Sequence, residues 1–424
     1  MCKVRTLVFP SGTEGASEIA QALGRSVHVE LYGASSRDDH GRHQFRRHTL
    51  VPVISDPAFD EHFAELLARW GIELVFGTHD SVLEYLAPRM ACWGVRLVNG
   101  DPLATRITRR KTETYALFAD QPWVPRRYTD LKDVCGWPVL IKPDRGQGGQ
   151  GVTVARYRAQ AEVALAVLDE PVICEYLPGE ELTVDCFTDR HRRLLHIGPR
   201  TRERVVGGIA MRSRSLRCEE AIRLIAEGIN DRLPMRGPWF FQLKADTKGH
   251  WKLLEVSCRL STCSVLQRAA GVNLPLMAVQ DHMQRELTVL ADPRLQLVER
   301  RIASFAELDH EFDTAYLDFD DTLICEGSAN PQAMRFVYRL LQMGKRLVLV
   351  TRHAGDIAET LRTMRISEAL FDEVVHLRQG EPKSSCIRGA AAIFIDNHFP
   401  ERLEVSRRCG IPVFDVDALD LLFP

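Results

Sequence analysis

The chain has 424 residues, well beyond the roughly 100–200 that one domain usually holds, so at least two functional units are expected. Its 55 Lys and Arg residues nearly balance its 57 Asp and Glu residues, which excludes a global field for nucleic acid or an anionic membrane and leaves small molecules as the expected partners. Eleven cysteines with no CxxC pair exclude a disulfide framework or a zinc site of regular spacing, so a reducing cytoplasm is the expected location.

The amino terminus meets charge at once in Lys3 and Arg5, and its apolar run stops at Pro10, too early for a secretory core. No apolar span reaches membrane length. Strand-like runs alternate with amphipathic helical runs along the whole chain, with no repeats, which is the pattern of α/β layers around parallel sheets. Residues 1–104 read as a small open-sheet lobe. It opens with the strand Arg5–Phe9, turns through Pro10-Ser11-Gly12 into a helix from Gly15, and reaches Leu74–Gly77 followed by Thr78, His79 and Asp80. Gly12 and Gly15 sit where a strand enters a helix, a place that either binds an anion through free amides or is simply a tight connection. His79 and Asp80 are positioned to touch substrate.

The run Pro138–Pro143 is a short strand ending in Lys142. Beyond it, Gly146, Gly148, Gly149 and Gly151 put four glycines into six positions. Glycine lets backbone amides approach phosphate oxygens, and a lysine at the strand end neutralises their charge, so a nucleotide is expected here. The pattern is neither a Walker loop nor a dinucleotide-binding fingerprint. Three more stretches follow: Val172–Pro178 leading to Gly179-Glu180-Glu181-Leu182-Thr183-Val184-Asp185, then Phe240–Lys244, then Leu253–Arg259.

This succession resembles the ATP-grasp superfamily over about residues 1–295. It is most similar to the carbamoyl-phosphate-synthetase-like and carboxylate–amine-ligase branches. The resemblance implies α+β lobes, with a pre-ATP-grasp lobe at 1–104 and the module at 105–295, divided into 105–171 and 172–295. It implies that Lys111 and Lys142 hold ATP phosphates beneath Gly148, Gly149 and Gly151. The linker from Glu175 to Leu177 meets adenine, Glu181 bonds the ribose, Gln242 and Glu255 hold Mg2+ (Mn2+ as a substitute), and Arg259 grips the transferred phosphoryl group. Ser257 stands where the family commonly has asparagine, and Cys258 where it has proline, a departure that bears on the second metal. The implied reaction forms an acyl phosphate from a carboxylate and ATP, which an amine then displaces with release of ADP. Arg200 and Arg212 flank the Gly207-Gly208 hinge and are expected to swing in over anionic substrate groups.

Residues 296–312 read as a linker. Beyond them, the apolar run Ala315–Leu317 ends in Asp318-Phe319-Asp320-Asp321-Thr322, Arg346–Val350 ends in Thr351, Lys383 lies in a polar loop, and Ala392–Ile395 ends in Asp396. Two carboxylates at a strand tip suit phosphoryl transfer. Residues 313–424 resemble the haloacid-dehalogenase superfamily at all four motif positions. The resemblance implies that Asp318 attacks phosphorus and Asp320 acts as acid and base, while Thr351 and Lys383 steady the phosphoryl group. Asp318, Asp320 and Asp396 are its expected magnesium ligands. About thirty residues separate successive motifs, too few for a separate cap domain. The favoured expectation is therefore a bifunctional enzyme acting on a small carboxylate, an amine and a phosphoester, as a monomer or a homo-oligomer. A phosphatase with a ligand-sensing ATP-grasp module and a non-catalytic scaffold are the alternatives.

Overall fold

The computed structural model describes residues 3–146 and 148–422; Gln147 of the glycine-rich stretch and the terminal Met1, Cys2, Phe423 and Pro424 lie outside the described residues. The chain divides into two compact units, Met1–Arg301 and Ile302–Pro424.

The first unit opens with five parallel strands, β1 (Val4–Phe9), β2 (Val29–Ser35), β3 (Arg47–Leu50), β4 (Leu74–Gly77) and β5 (Arg96–Leu97), in the order β3-β2-β1-β4-β5. β4 is buried at every position, as expected of a parallel strand covered on both faces. The helix Glu14–Leu23 starts directly after β1, where Thr13 accepts a hydrogen bond from the Ala16 amide at 3.0 Å. The helix Phe59–Trp70 packs Phe59 and Phe63 against Phe9 and ends on Gly71, left-handed at φ +59°. The strand order reverses at β1, so the carboxyl ends of β1 and β4 flank the crevice where open sheets of this kind bind ligands.

An antiparallel sheet follows, made of β6 (Arg127–Tyr128), β7 (Val139–Pro143), β8 (Thr153–Ala155) and β9 (Pro171–Glu175) in the order β6-β9-β7-β8. β9 pairs with β7 along its whole length, so an edge at 171/172 falls within this sheet; an edge at 104/105 falls within the helix Pro102–Arg109. A second antiparallel sheet holds β10 (Glu181–Thr188), β11 (Leu194–Thr201), β14 (Gly237–Ala245) and β15 (Trp251–Ser257) in the order β11-β10-β14-β15. Between β11 and β14, the hairpin of β12 (Arg204–Val206) and β13 (Ile209–Arg214) pairs with β16 (Leu297–Glu299), so the expected linker begins as a strand.

The second unit is a parallel sheet of β17 (Thr314–Leu317), β20 (Arg346–Thr351), β21 (Glu373–His376), β22 (Ala392–Ile395) and β23 (Val413–Phe414), ordered β21-β20-β17-β22-β23. β17 and β22 are wholly buried. Only the small hairpin β18 (Ile324–Cys325) and β19 (Ser328–Ala329) and the helix Pro331–Gln342 lie between β17 and β20, so there is no separate cap domain among the described residues. Again the order reverses at the central strand, between β17 and β22. Among the described residues, no helix is long and apolar enough to cross a membrane, and every cysteine is free.

Candidate functional site

The first unit encloses a cavity of about 1050 Å³ whose walls come from the carboxyl ends of β1 and β4, the glycine-rich loop, and the faces of β10, β14 and β15. Lys111, Lys142, Gly148, Gly149, Leu177, Glu181, Gln242, Glu255, Arg259 and Arg200 all line it. Lys142 is buried on β7, where its Nζ donates to the Tyr115 hydroxyl at 2.8 Å, and that hydroxyl in turn donates to the Leu254 carbonyl at 2.7 Å. Among the described residues no carboxylate stands within ion-pair distance of it, which leaves its charge for an anionic guest. Lys111 donates to the Asp144 carbonyl at 3.2 Å; burial lowers its pKa, and Glu255 works in the opposite direction.

Gln242 on β14 lies directly opposite Glu255 on β15 in the antiparallel register, and both face the cavity. Two adjacent oxygen donors suit a hard divalent cation whose remaining ligands are phosphate and water. Glu181 pairs with Arg202 at 2.7 Å and Lys244 at 3.6 Å. The glycine-rich loop meets the β12–β13 hairpin tip so closely that a Cβ on Gly208 would stand 2.2 Å from the Gly148 Cα. Both glycines have positive φ, so this contact is closed to other residues on two counts.

Asp80, just beyond β4, accepts from Ser257 Oγ at 2.5 Å and from Arg259 Nε at 3.0 Å. Burial opposes its ionisation, but Arg259, Ser257 and Arg109 outweigh that and hold its carboxyl below the usual range. Ser257, the departure from the family pattern, is thus engaged with the first lobe. Sequence reasoning placed Asp80 near substrate but missed its role as partner to Arg259; its position at the strand-order reversal is the signal that finds it.

Five expectations need correction or refinement. Arg200 lies within β11 and is buried, with Nε 2.8 Å from Asp185 and Nη2 3.1 Å from Ser261, so it is fixed and not free to swing. Arg212 is outside the cavity wall. Its pairing across the hairpin with Arg204, and its ion pairs with Glu203 at 2.9 Å and Glu299 at 3.6 Å, hold it on the middle strand of the sheet β12-β13-β16. Glu175 also stays outside, its carboxylate accepting from the Arg126 amide at 2.9 Å, and Gly151 packs by Pro143 and Leu168. Gly12 has the Asp39 carboxylate against it, which disfavours an anion at that turn.

In the second unit, Lys383 Nζ bridges Asp318 at 2.5 Å and Asp396 at 2.7 Å, all three side chains being buried. Burial and then the charge of Asp396 push the Asp318 carboxyl up to about 6, with Lys383 pulling it back. Thr322 Oγ1 reaches Asp318 at 3.4 Å, and buried Thr351 ends β20. Asp320 is turned to His353, whose Nδ1 is 2.9 Å and 3.1 Å from its two oxygens; sequence reasoning missed this histidine. No group of three His, Cys, Asp or Glu side chains stands ready to hold a metal among the described residues. Two carboxylates against one ammonium still leave hard oxygen donors and net negative charge, which fits Mg2+.

A family model described as ATP-grasp in the biosynthetic pathway with Ter operon matches residues 168–303. A D-alanine–D-alanine ligase of Fusobacterium nucleatum subsp. nucleatum is 28% identical over 197 residues, covering 46% of this chain and 64% of that relative, so the chain spans a little under two thirds of it. Among solved structures, the biotin carboxylase domain of Hydrogenobacter thermophilus 2-oxoglutarate carboxylase, in complex with MgADP, ADP and bicarbonate, aligns with a TM-score of 0.59 at 13% identity, over 70% of this chain and 73% of that one. The L-amino acid ligase from Bacillus licheniformis aligns at 0.54 and 16% identity, over 66% and 74%. The chain thus matches an ATP-grasp family model over residues 168–303 and shares its fold with these solved structures over about two thirds of its length.

Proposed function

We propose that the first unit is an ATP- and Mg2+-dependent carboxylate–amine ligase and the second a Mg2+-dependent phosphatase. The observation that carries the ligase reading is the cavity itself, where Lys111 and Lys142, neither in a direct ion pair among the described residues, line the same cavity as the cross-strand pair Gln242 and Glu255. The names of the sequence relative and of one structural relative are those of ligases, and another structural relative holds MgADP. In this reading the lysines and the glycine loop hold the triphosphate. Gln242 and Glu255 hold magnesium, which supplies charge neutralisation at the phosphates. The substrate carboxylate attacks the terminal phosphorus, ADP leaves, and the amine displaces phosphate from the acyl phosphate. Arg259, oriented by Asp80, stabilises the transferring group.

In the second unit, Asp318 is ionised at neutral pH and attacks phosphorus, while Asp320 protonates the leaving oxygen. Water then attacks the aspartyl phosphate, giving its proton to Asp320 and releasing phosphate. Lys383 and Thr351 hold the phosphoryl oxygens, and Asp318 and Asp396 hold magnesium, which offsets the charge of the crowded carboxylates.

The test is nucleotide analysis after incubation with magnesium, ATP, pooled amino acids and small carboxylates. ADP formation that needs the added small molecules and vanishes in Glu255→Ala supports the ligase; intact ATP under all these conditions counts against it.

A further inference from the structure

Of the seven lysines and arginines that line the first unit's cavity, four are matched by carboxylates. Arg200 pairs with Asp185, Arg202 and Lys244 with Glu181, and Arg259 with Asp80. Among the described residues, Lys111 and Lys142 have no carboxylate within ion-pair distance, and the proposed function gives them the nucleotide phosphates. Arg109 remains. It is the last residue of the helix Pro102–Arg109 and lines the cavity. Among the described residues its buried Nε has no hydrogen-bond partner, and its Nη1 reaches only the Gly146 carbonyl, at 3.5 Å. Among the described residues no carboxylate lies within ion-pair distance of it. A buried guanidinium nitrogen without an acceptor is rare enough in folded proteins to require a reason.

Its position supplies one. Arg109 stands between the first residue of the glycine-rich loop and the wall that carries His79 and Asp80, and its charge reaches both of those groups. Asp80 attracts Arg109 through space, but its carboxylate oxygens are taken by Ser257 and Arg259, so it accepts no hydrogen bond from Arg109.

We propose that Arg109 binds an oxyanion, phosphate or carboxylate, where the glycine-rich loop meets the first-lobe wall. A planar fork with free N–H groups suits either anion in a bidentate contact. The anion has two sources in the proposed reaction, the terminal phosphate of the nucleotide or an anionic group on the small-molecule substrate. The inference thus extends the ligase reading and rests on it for the first of these.

Isothermal titration of the full chain with MgADP, MgAMP-PNP, and malonate added to the MgAMP-PNP complex tests it, comparing wild type with Arg109→Ala and Arg109→Lys. Removing a hydrogen bond to a charged group lowers affinity by about tenfold or more. If the anion is the terminal phosphate, Arg109→Ala weakens MgAMP-PNP by about that factor relative to MgADP. If it belongs to the substrate, nucleotide binding holds and malonate binding falls instead. Arg109→Lys, which keeps the charge without the fork, falls between in either case, and unchanged thermal melting shows that the variants are folded. Affinities for all three ligands within about twofold of wild type in Arg109→Ala overturn the proposal. A wild-type chain that binds no nucleotide removes the ligase reading, and malonate titrated into the nucleotide-free chain then still decides Arg109.

Discussion

Asp80 and Arg259 form one ion pair across two sheets, the carboxylate just past β4 and the guanidinium just past β15, with Nε and Oδ2 3.0 Å apart. The second carboxylate oxygen takes the Ser257 hydroxyl at 2.5 Å. Arg259 also lies over the Phe240 ring at 5.1 Å, so the guanidinium is held from two directions. The open-sheet lobe therefore orients an arginine at the end of the sheet β11-β10-β14-β15.

This pair gives the first unit a specific acid sensitivity. A carboxyl held below its unfolded value of 3.8 contributes stability that is present above that value and is lost as pH falls through the folded one. Asp80→Asn should lose about 3 kcal/mol at neutral pH, because it strands Arg259, and should show a flatter acid limb than wild type. Urea unfolding from about pH 7 to about pH 3 measures both; parallel curves for the two proteins would remove the pair from the account.

Gly208 and Gly149 make a matched comparison. Each has positive φ, at 78° and 73°, so alanine costs about 1 kcal/mol of backbone strain at either. Only at Gly208 does the new Cβ strike backbone, the Gly148 Cα at 2.2 Å, while Gly149 has open space. Gly208→Ala is expected to raise the KM for ATP by about tenfold and Gly149→Ala by no more than about threefold, read by steady-state ADP formation.

Lys383→Met leaves Asp318 and Asp396 buried together without their bridging ammonium. The expected loss is about 3 kcal/mol at neutral pH. A carboxyl whose pKa is raised makes the native state hold a proton that the unfolded chain releases, so stability recovers as pH falls toward 5. Thermal unfolding at the two pH values checks the sign, and a loss that deepens on acidification contradicts it.

His353 holds Asp320 through Nδ1, and its Nε2 lies 2.9 Å from the Thr360 hydroxyl. If that contact aims the acid at the leaving oxygen, His353→Gln should slow hydrolysis of alkyl phosphates by about tenfold. p-Nitrophenyl phosphate, whose leaving group departs without a proton, should be nearly unaffected. Equal losses on both substrates indicate a merely structural histidine.

Much of this organisation was legible in the chain because the key side chains sit at strand ends. Asp318, Thr351 and Asp396 each follow an apolar run, and Lys142 ends one, so period and position were enough. What escaped depends on pairing between distant segments. Ser257 and Asp80 are 177 positions apart, and nothing local to either announces the other. Arg200 and Arg212 looked like flanks of a flexible hinge because Gly207 and Gly208 lie between them. Strand register decided otherwise, setting Arg200 inward on Asp185 and Arg212 outward on Glu203. β9 joined β7 rather than β10 for the same reason, since ladder partners are chosen by tertiary packing.

The most direct test of two chemistries in one chain is a crossed assay. Glu255→Ala and Asp318→Asn are each measured for small-molecule-dependent ADP formation and for phosphate release from a phosphomonoester in the presence of magnesium. The account predicts that Glu255→Ala abolishes the first and spares the second, and that Asp318→Asn does the reverse. ADP formation that survives in Glu255→Ala, or phosphate release that survives in Asp318→Asn, would contradict it.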